Sequence, residues 1–193
     1  PVRSSLGESR QIIPVPWIYY PLLYPNSNNP ITRNINKVKS EFVNSIDTVG
    51  MNNAVSKEIL LASSGKSRTI NPPVLIKLED YKKSPPEEAF TGSFLPAAAL
   101  LEGVFESLFS NRIISWEGGE LRKTSERTAM IVVADGDVIR NEVSIMGNRI
   151  EPLTLGADRY SGQTFGNKDF IINCLNYLVD HRGLISLRSR ELK

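Results

Sequence analysis

Met130-Ile131-Val132-Val133-Ala134-Asp135-Gly136-Asp137 is the stretch on which the fold assignment turns. An unbroken apolar run rich in β-branched residues, closed by an acid-glycine-acid turn, reads as a strand buried on both faces. That is the environment of a central strand in a parallel sheet. Further on, Gly166-Asn167-Lys168-Asp169 opens a helix. Asn167 is expected at the N-cap, and Asp169 in the first turn complements the positive end of the helix dipole. Phe170, Cys174 and Leu178 form one stripe with Ile171 and Leu175 beside it, and Gly183 is the expected stop. A buried strand followed by an amphipathic helix predicts an α/β domain with a partly parallel sheet and flanking helices.

Outward from this pair the pattern is mostly extended. Residues 96–105 are near-continuously apolar and read as a buried strand, although their alanines also suit a helix. Residues 58–62 and 74–78 are expected as short strands. A further strand is expected from Ser40, with Phe42, Asn44 and Ile46 on one face and Gly50 as its end. Residues 112–127 are polar and glycine-containing, the composition of an exposed loop. Half of the twelve prolines fall in the first 30 residues, which predicts a set of short extended pieces there. Residues 11–32 carry no charge but are broken by five prolines, so they are not expected to span a membrane.

Composition narrows the chemistry. The 193 residues carry 23 Lys+Arg against 21 Asp+Glu, a net charge of +2, and no concentrated basic stripe, which argues against a nucleic-acid partner. One cysteine and one histidine exclude an internal disulfide, a cysteine-cluster metal site and most zinc constellations, and no cofactor is expected. The chain opens Pro1-Val2-Arg3-Ser4 without Met or a targeting pattern, as expected of a piece of a longer protein.

Several groups invite chemical readings. Asp135 and Asp137 at a strand end could hold Mg²⁺ for phosphoryl transfer, with Lys168 and Asp169 recruited, or simply cap the next turn. The N–H groups around Asn167 and the Lys168 ammonium could receive an anion, against the opposing charge of Asp169. Trp17, Tyr19, Tyr20 and Tyr24 form a dense aromatic load, either covering a core or presenting a partner surface. Together with Asp135 and Asp137 they would also suit a saccharide. Gly65-Lys66-Ser67 lacks the earlier glycine of a phosphate loop, because Leu60 stands there, and reads as a turn. Cys174 and His181, seven residues apart on one helix, would stand about 10 Å apart along its axis, too far for a nucleophilic dyad. No catalytic residue is expected.

The run from Met130 to Asp137, with Arg140-Asn141-Glu142, Asp158-Arg159-Tyr160 and the block from Gln163 to Phe170, resembles the gliding-motility ABC transporter auxiliary family. So do Asn173-Cys174-Leu175-Asn176-Tyr177-Leu178, Leu187-Arg188-Ser189-Arg190-Glu191, Pro16-Trp17-Ile18-Tyr19-Tyr20-Pro21-Leu22, Lys39-Ser40-Glu41-Phe42 and Leu101-Glu102-Gly103-Val104-Phe105. Within that family the chain is most similar to the G component of the gliding (Gld) transporter of Bacteroidetes.

The resemblance implies a non-enzymatic auxiliary or substrate-binding-like domain, partnered by ABC permease and ATPase subunits. It implies a place on the periplasmic, extracytoplasmic face of the cytoplasmic membrane, anchored by membrane helices outside this stretch. It also implies a fold similar to class I glutamine amidotransferase-like (flavodoxin-like) domains without their Cys–His pair. The 193 residues would be one α/β domain, the C-terminal part of a larger one. Arg182, Arg188, Arg190 and Lys193 would then lie near the bilayer if a membrane helix followed.

Overall fold

The computed structural model describes residues 2–4, 11–13, 17–50, 54–77, 85–112 and 121–180. Among them run nine strands: β1 (Val2–Ser4), β2 (Gln11–Ile13), β3 (Leu22–Pro25), β4 (Val38–Lys39), β5 (Val55–Ala62), β6 (Pro96–Gly103), β7 (Thr128–Val133), β8 (Val143–Met146) and β9 (Arg149–Pro152). Among the described residues one α-helix, α1 (Asn167–Val179), follows them, and two short 3-10 turns lie at Glu87–Ala89 and Gly136–Ile139. The main sheet has five strands in the order β4-β3-β5-β6-β7, and every pairing in it is antiparallel. β1 and β2 form a separate antiparallel pair, and β8 and β9 form a hairpin.

The expectation of a partly parallel, flavodoxin-like α/β fold is therefore corrected. The sheet is antiparallel and one helix covers it. Parallel neighbours need a crossover connection, usually helical, between each pair of strands. Here the described residues between β5 and β6 and between β6 and β7 hold no α-helix. The unbroken apolar run Met130–Ala134 does not mark two-sided burial. In the fold β7 is an edge strand whose residues alternate inward and outward, leaving Met130 50% and Val132 39% exposed.

The strand that is covered on both faces is β6, where Ala97, Ala98, Ala99 and Leu100 are all buried. For that segment the continuous apolar run was a sound guide to a buried strand. The strand expected at 58–62 is also present, extended back to Val55. Two others are absent: residues 40–50 and 71–77 carry no strand, and Leu78 lies outside the described residues. Residues 44–46 instead lie along the sheet end, where the Asn44 N–H donates to the Ala134 carbonyl (3.4 Å) and the Ile46 N–H to that of Pro96 (2.9 Å).

The core gathers on the face that α1 covers. Leu23, Ile31, Val38, Leu60, Leu61, Leu100, Val138, Phe170 and Cys174 form one buried cluster. Consecutive strand residues normally point to opposite faces, yet Leu60 and Leu61 both join it. A bulge explains this: Ile59 pairs with Ala99 and Leu61 with Ala98, so Leu60 is the extra residue. α1 packs on β4, β7 and the Gly136–Ile139 turn. Its start is seated by glycine: a side chain at Gly166 would place a Cβ 2.4 Å from the Asn36 carbonyl oxygen. Gly166, rather than Asn167, is the N-cap position, and the helix ends at Val179. Gly183, His181 and the basic cluster of Arg182, Arg188, Arg190 and Lys193 lie outside the described residues. No helix among the described residues is long and apolar enough to cross a membrane.

Phe170 is fully buried at the centre of this cluster. Phe170→Ala should lower the unfolding free energy by about 3–5 kcal/mol in a urea titration. Ile172→Ala, half-exposed on the same helix, should cost under about 1 kcal/mol.

Candidate functional site

Residues 37–41 are gripped from three directions. From α1, the Asn167 side-chain oxygen accepts the Lys39 N–H (2.8 Å), and its amide donates to the Lys39 carbonyl (2.8 Å) and to that of Val138 (3.1 Å). Just before α1, the Gly166 N–H donates to the Lys37 carbonyl (2.8 Å). From the end of β7, Asp135 accepts the Glu41 N–H through Oδ2 (2.8 Å) and the Asp137 N–H through Oδ1 (2.8 Å). An asparagine paired to both backbone groups of a strand residue mimics a neighbouring strand, which is how β4 is completed on its open side.

This grip presents the Lys39 ammonium to a ring of acids. Its Nζ pairs with Glu142, stands 3.5 Å from Asp158 Oδ1 and 3.7 Å from Glu41 Oε1, and all four side chains are only 12–17% exposed. Arg140 pairs with Glu41 and with Asp137 (3.0 Å), and Arg159 Nε approaches Glu142 Oε2 at 3.6 Å. Burial works against a charged Lys39, but Glu142, Asp158 and Glu41 outweigh it and hold its pKa above the ordinary 10.5. Burial likewise opposes ionisation of Asp158. The Ser161 hydroxyl (2.6 Å) and amide (2.9 Å), with Lys39, outweigh that and hold the Asp158 pKa below the ordinary 3.8.

Chemically the cluster is quiet. A lysine held in its charged form is neither a nucleophile nor a base, and its ammonium occupies the space among the carboxylates that a cation would need. Among the described residues no group of three His, Cys, Asp or Glu side chains could hold a metal ion. Cys174 is buried, and burial pushes its thiol up to about 12. His181, the one imidazole of the chain, lies outside the described residues.

Asp135 is buried and caps the Gly136–Ile139 turn, with both oxygens taken by backbone amides. Asp137 pairs with Arg140, Asn167 is buried in the β4 clamp, and Lys168 is exposed. The fold thus brings Asp135 and Asn167 together, on residues 39–41, and leaves Lys168 outside. Trp17, Tyr19 and Tyr20 form one aromatic group with Phe42: Trp17 meets Tyr19 at 5.3 Å and Tyr20 at 6.1 Å, and Phe42 meets Tyr19 at 5.6 Å and Tyr20 at 5.3 Å between ring centres. Tyr24 stands apart under the Lys37 ammonium, 4.7 Å from its ring centre.

Sequence reasoning missed Lys39, Glu41, Arg140, Glu142, Asp158 and Arg159 as a site. Their signal was present, since Lys39-Ser40-Glu41, Arg140-Asn141-Glu142 and Asp158-Arg159 were among the stretches that carried the family resemblance. Opposite charges scattered over 120 residues have no local pattern that reveals their convergence.

A family model described as an ABC-type uncharacterized transport system matches residues 1–174. No curated protein and no solved structure matches the chain.

Lys39→Met should cost about 3–5 kcal/mol at pH 7, because it strands buried carboxylates without their cation. The network's support comes from a raised lysine and a depressed aspartate. It should therefore be complete above pH 3.8 and below pH 10.5, fading as acid titrates Asp158 below its ordinary value and as alkali titrates Lys39 above its own. Urea unfolding of the wild type and Lys39→Met, followed from neutral pH into acid, should show the gap narrowing as the pH falls below 3.8.

Proposed function

The chain belongs to the ABC-type uncharacterized transport system family, whose members are auxiliary components of ABC transport, and on that premise we propose that it works by binding other subunits rather than by catalysis. The observation that carries this reading is the β8–β9 hairpin. Ile145, Met146 and Ile150 are 67%, 75% and 68% exposed on an arm of ten residues, 143–152. A two-stranded hairpin is marginal by itself in water, and apolar side chains displayed on one are characteristic of a surface awaiting a partner.

The charged network supports the arm at its root. Glu142 directly precedes β8, the Leu153 N–H donates to the Glu142 carbonyl (2.7 Å), and the Asn141 amide donates to the Leu153 carbonyl (2.7 Å). The hairpin is thereby tied through Glu142 and Lys39 to β4 and α1. A second apolar surface lies on α1, where Leu175 and Val179 are exposed. In this reading the subunits contacted are the permease and ATPase of the transporter. The domain works outside the cytoplasmic membrane, in a system of the gliding-motility kind, an assignment supported by the resemblance of the Lys39–Phe42, Met130–Asp137 and Gln163–Phe170 stretches.

The intact protein should co-purify with an ABC permease–ATPase pair in mild detergent. Ile145→Glu with Ile150→Glu should reduce that recovery at least about tenfold, a loss of 1.4 kcal/mol or more, while leaving the unfolding midpoint unchanged. Recovery of neither subunit with the wild type, or equal recovery with the double variant, would remove the reading.

A further inference from the structure

A cleft of about 680 Å³ opens between the aromatic group and the loop that follows β5. That lies within the usual range of small-ligand sites, roughly 300–1,000 Å³. Its described lining includes two cations, Lys66 and Arg68, and no carboxylate. The two cations are not equivalent. Lys66 is exposed and already paired with Glu87 at 3.0 Å. Arg68 Nε is buried with no hydrogen-bond partner, and no ion pair within the described residues neutralises its guanidinium. Buried donors in native folds are almost always satisfied, and a guanidinium left open toward a cleft calls for an anion that comes from outside the fold.

The rest of the lining says what carries that anion. Tyr19 and Phe42 supply ring surface, with their centres 5.6 Å apart. Phe42 is 51% exposed and is held in a left-handed backbone conformation (φ 51°) while its N–H donates to the Tyr19 carbonyl (2.8 Å). A bulky residue rarely adopts that conformation, and such strain tends to persist where a side chain is aimed at a ligand. Beside Arg68, Thr69 and Asn71 line the cleft, and their side chains have no hydrogen-bond partner in the described residues. Ring faces, unengaged neutral polar groups and one unpaired guanidinium together suit a polyhydroxylated ring bearing a carboxylate.

We propose that this cleft binds an acidic saccharide, its carboxylate paired to Arg68, its ring laid against Phe42 and Tyr19, and its hydroxyls on Thr69 and Asn71. The carboxylate–guanidinium pair can be bidentate, which fixes orientation as well as attraction. The inference rests on the cleft alone and is independent of the hairpin contacts.

Titration calorimetry of the chain with trigalacturonate, neutral maltotriose and inorganic phosphate tests it. Trigalacturonate should bind at least about tenfold tighter than maltotriose, and phosphate should not displace it at equal concentration. Arg68→Gln should weaken trigalacturonate at least about tenfold, with Arg68→Lys intermediate, because a lysine restores charge without the planar fork. Phe42→Asn, which keeps a residue tolerant of the left-handed backbone while removing the ring, should also weaken it. Unchanged unfolding midpoints would show that these losses are not misfolding. No heat with trigalacturonate, equal affinity for maltotriose, full displacement by phosphate, or unaltered binding by Arg68→Gln would each overturn the proposal.

Discussion

Lys39 must carry its charge in a place where little water reaches it, and that constraint organises much of the molecule. A buried ammonium is tolerated only when acids surround it and the remaining polar groups are bonded. Glu41, Glu142 and Asp158 come to it from three separate stretches of chain, so satisfying one side chain fastens β4, the root of the hairpin and the loop before α1 to one another. The backbone at the same position is held by Asn167, which makes the start of α1 part of the fastening. Gly166 and Gly156 fit this frame. A Cβ at the first would strike Asn36, and the second turns the chain at φ 85° where a Cβ would meet the Phe165 carbonyl at 2.7 Å.

Residues 38–42 serve two surfaces in turn. Lys39 and Glu41 face the charged cluster that supports the hairpin, and Phe42, next along the chain, faces the cleft. Tyr20 lies between the two. It packs edge-on against Phe42, and its phenol is raised above its ordinary pKa by burial and then by the charge of Glu41. The ionic cluster gives the backbone a defined position, and the side chains facing outward are free to be apolar or aromatic without bearing the fold's stability. The charged residues of the cluster are neutralised by one another.

Several parts of this structure are legible from the residues because the physics behind them is local. The helix over 167–179 follows from the spacing of Phe170, Cys174 and Leu178. The β6 strand follows from an apolar run that only a sheet interior accommodates, and the turn at 63–67 follows from its serines and glycine. The capping role of Asp135 is of the same kind, since an acid two residues before an open amide finds it without help from distant chain. The strand direction was not local. An apolar run tells how many faces of a strand are covered but carries no mark of whether its neighbour runs parallel or antiparallel, and β7 shows that even the number of covered faces can be overstated.

By itself, then, the sequence determined that residues 58–62 and 96–103 extend, that 167–179 coil, and that a lone cysteine builds neither an internal disulfide nor a cysteine-cluster cage, because these depend on residue type and short spacing. Tertiary structure alone decided that the sheet is antiparallel, that Asn167 braces a strand 128 residues away instead of capping its helix, and that acids from three stretches enclose one lysine. It also decided that Arg68 is left unpaired beside aromatic rings. Those outcomes depend on which distant groups the packed core brings within about 3–4 Å of one another, and no periodicity along the chain encodes that distance.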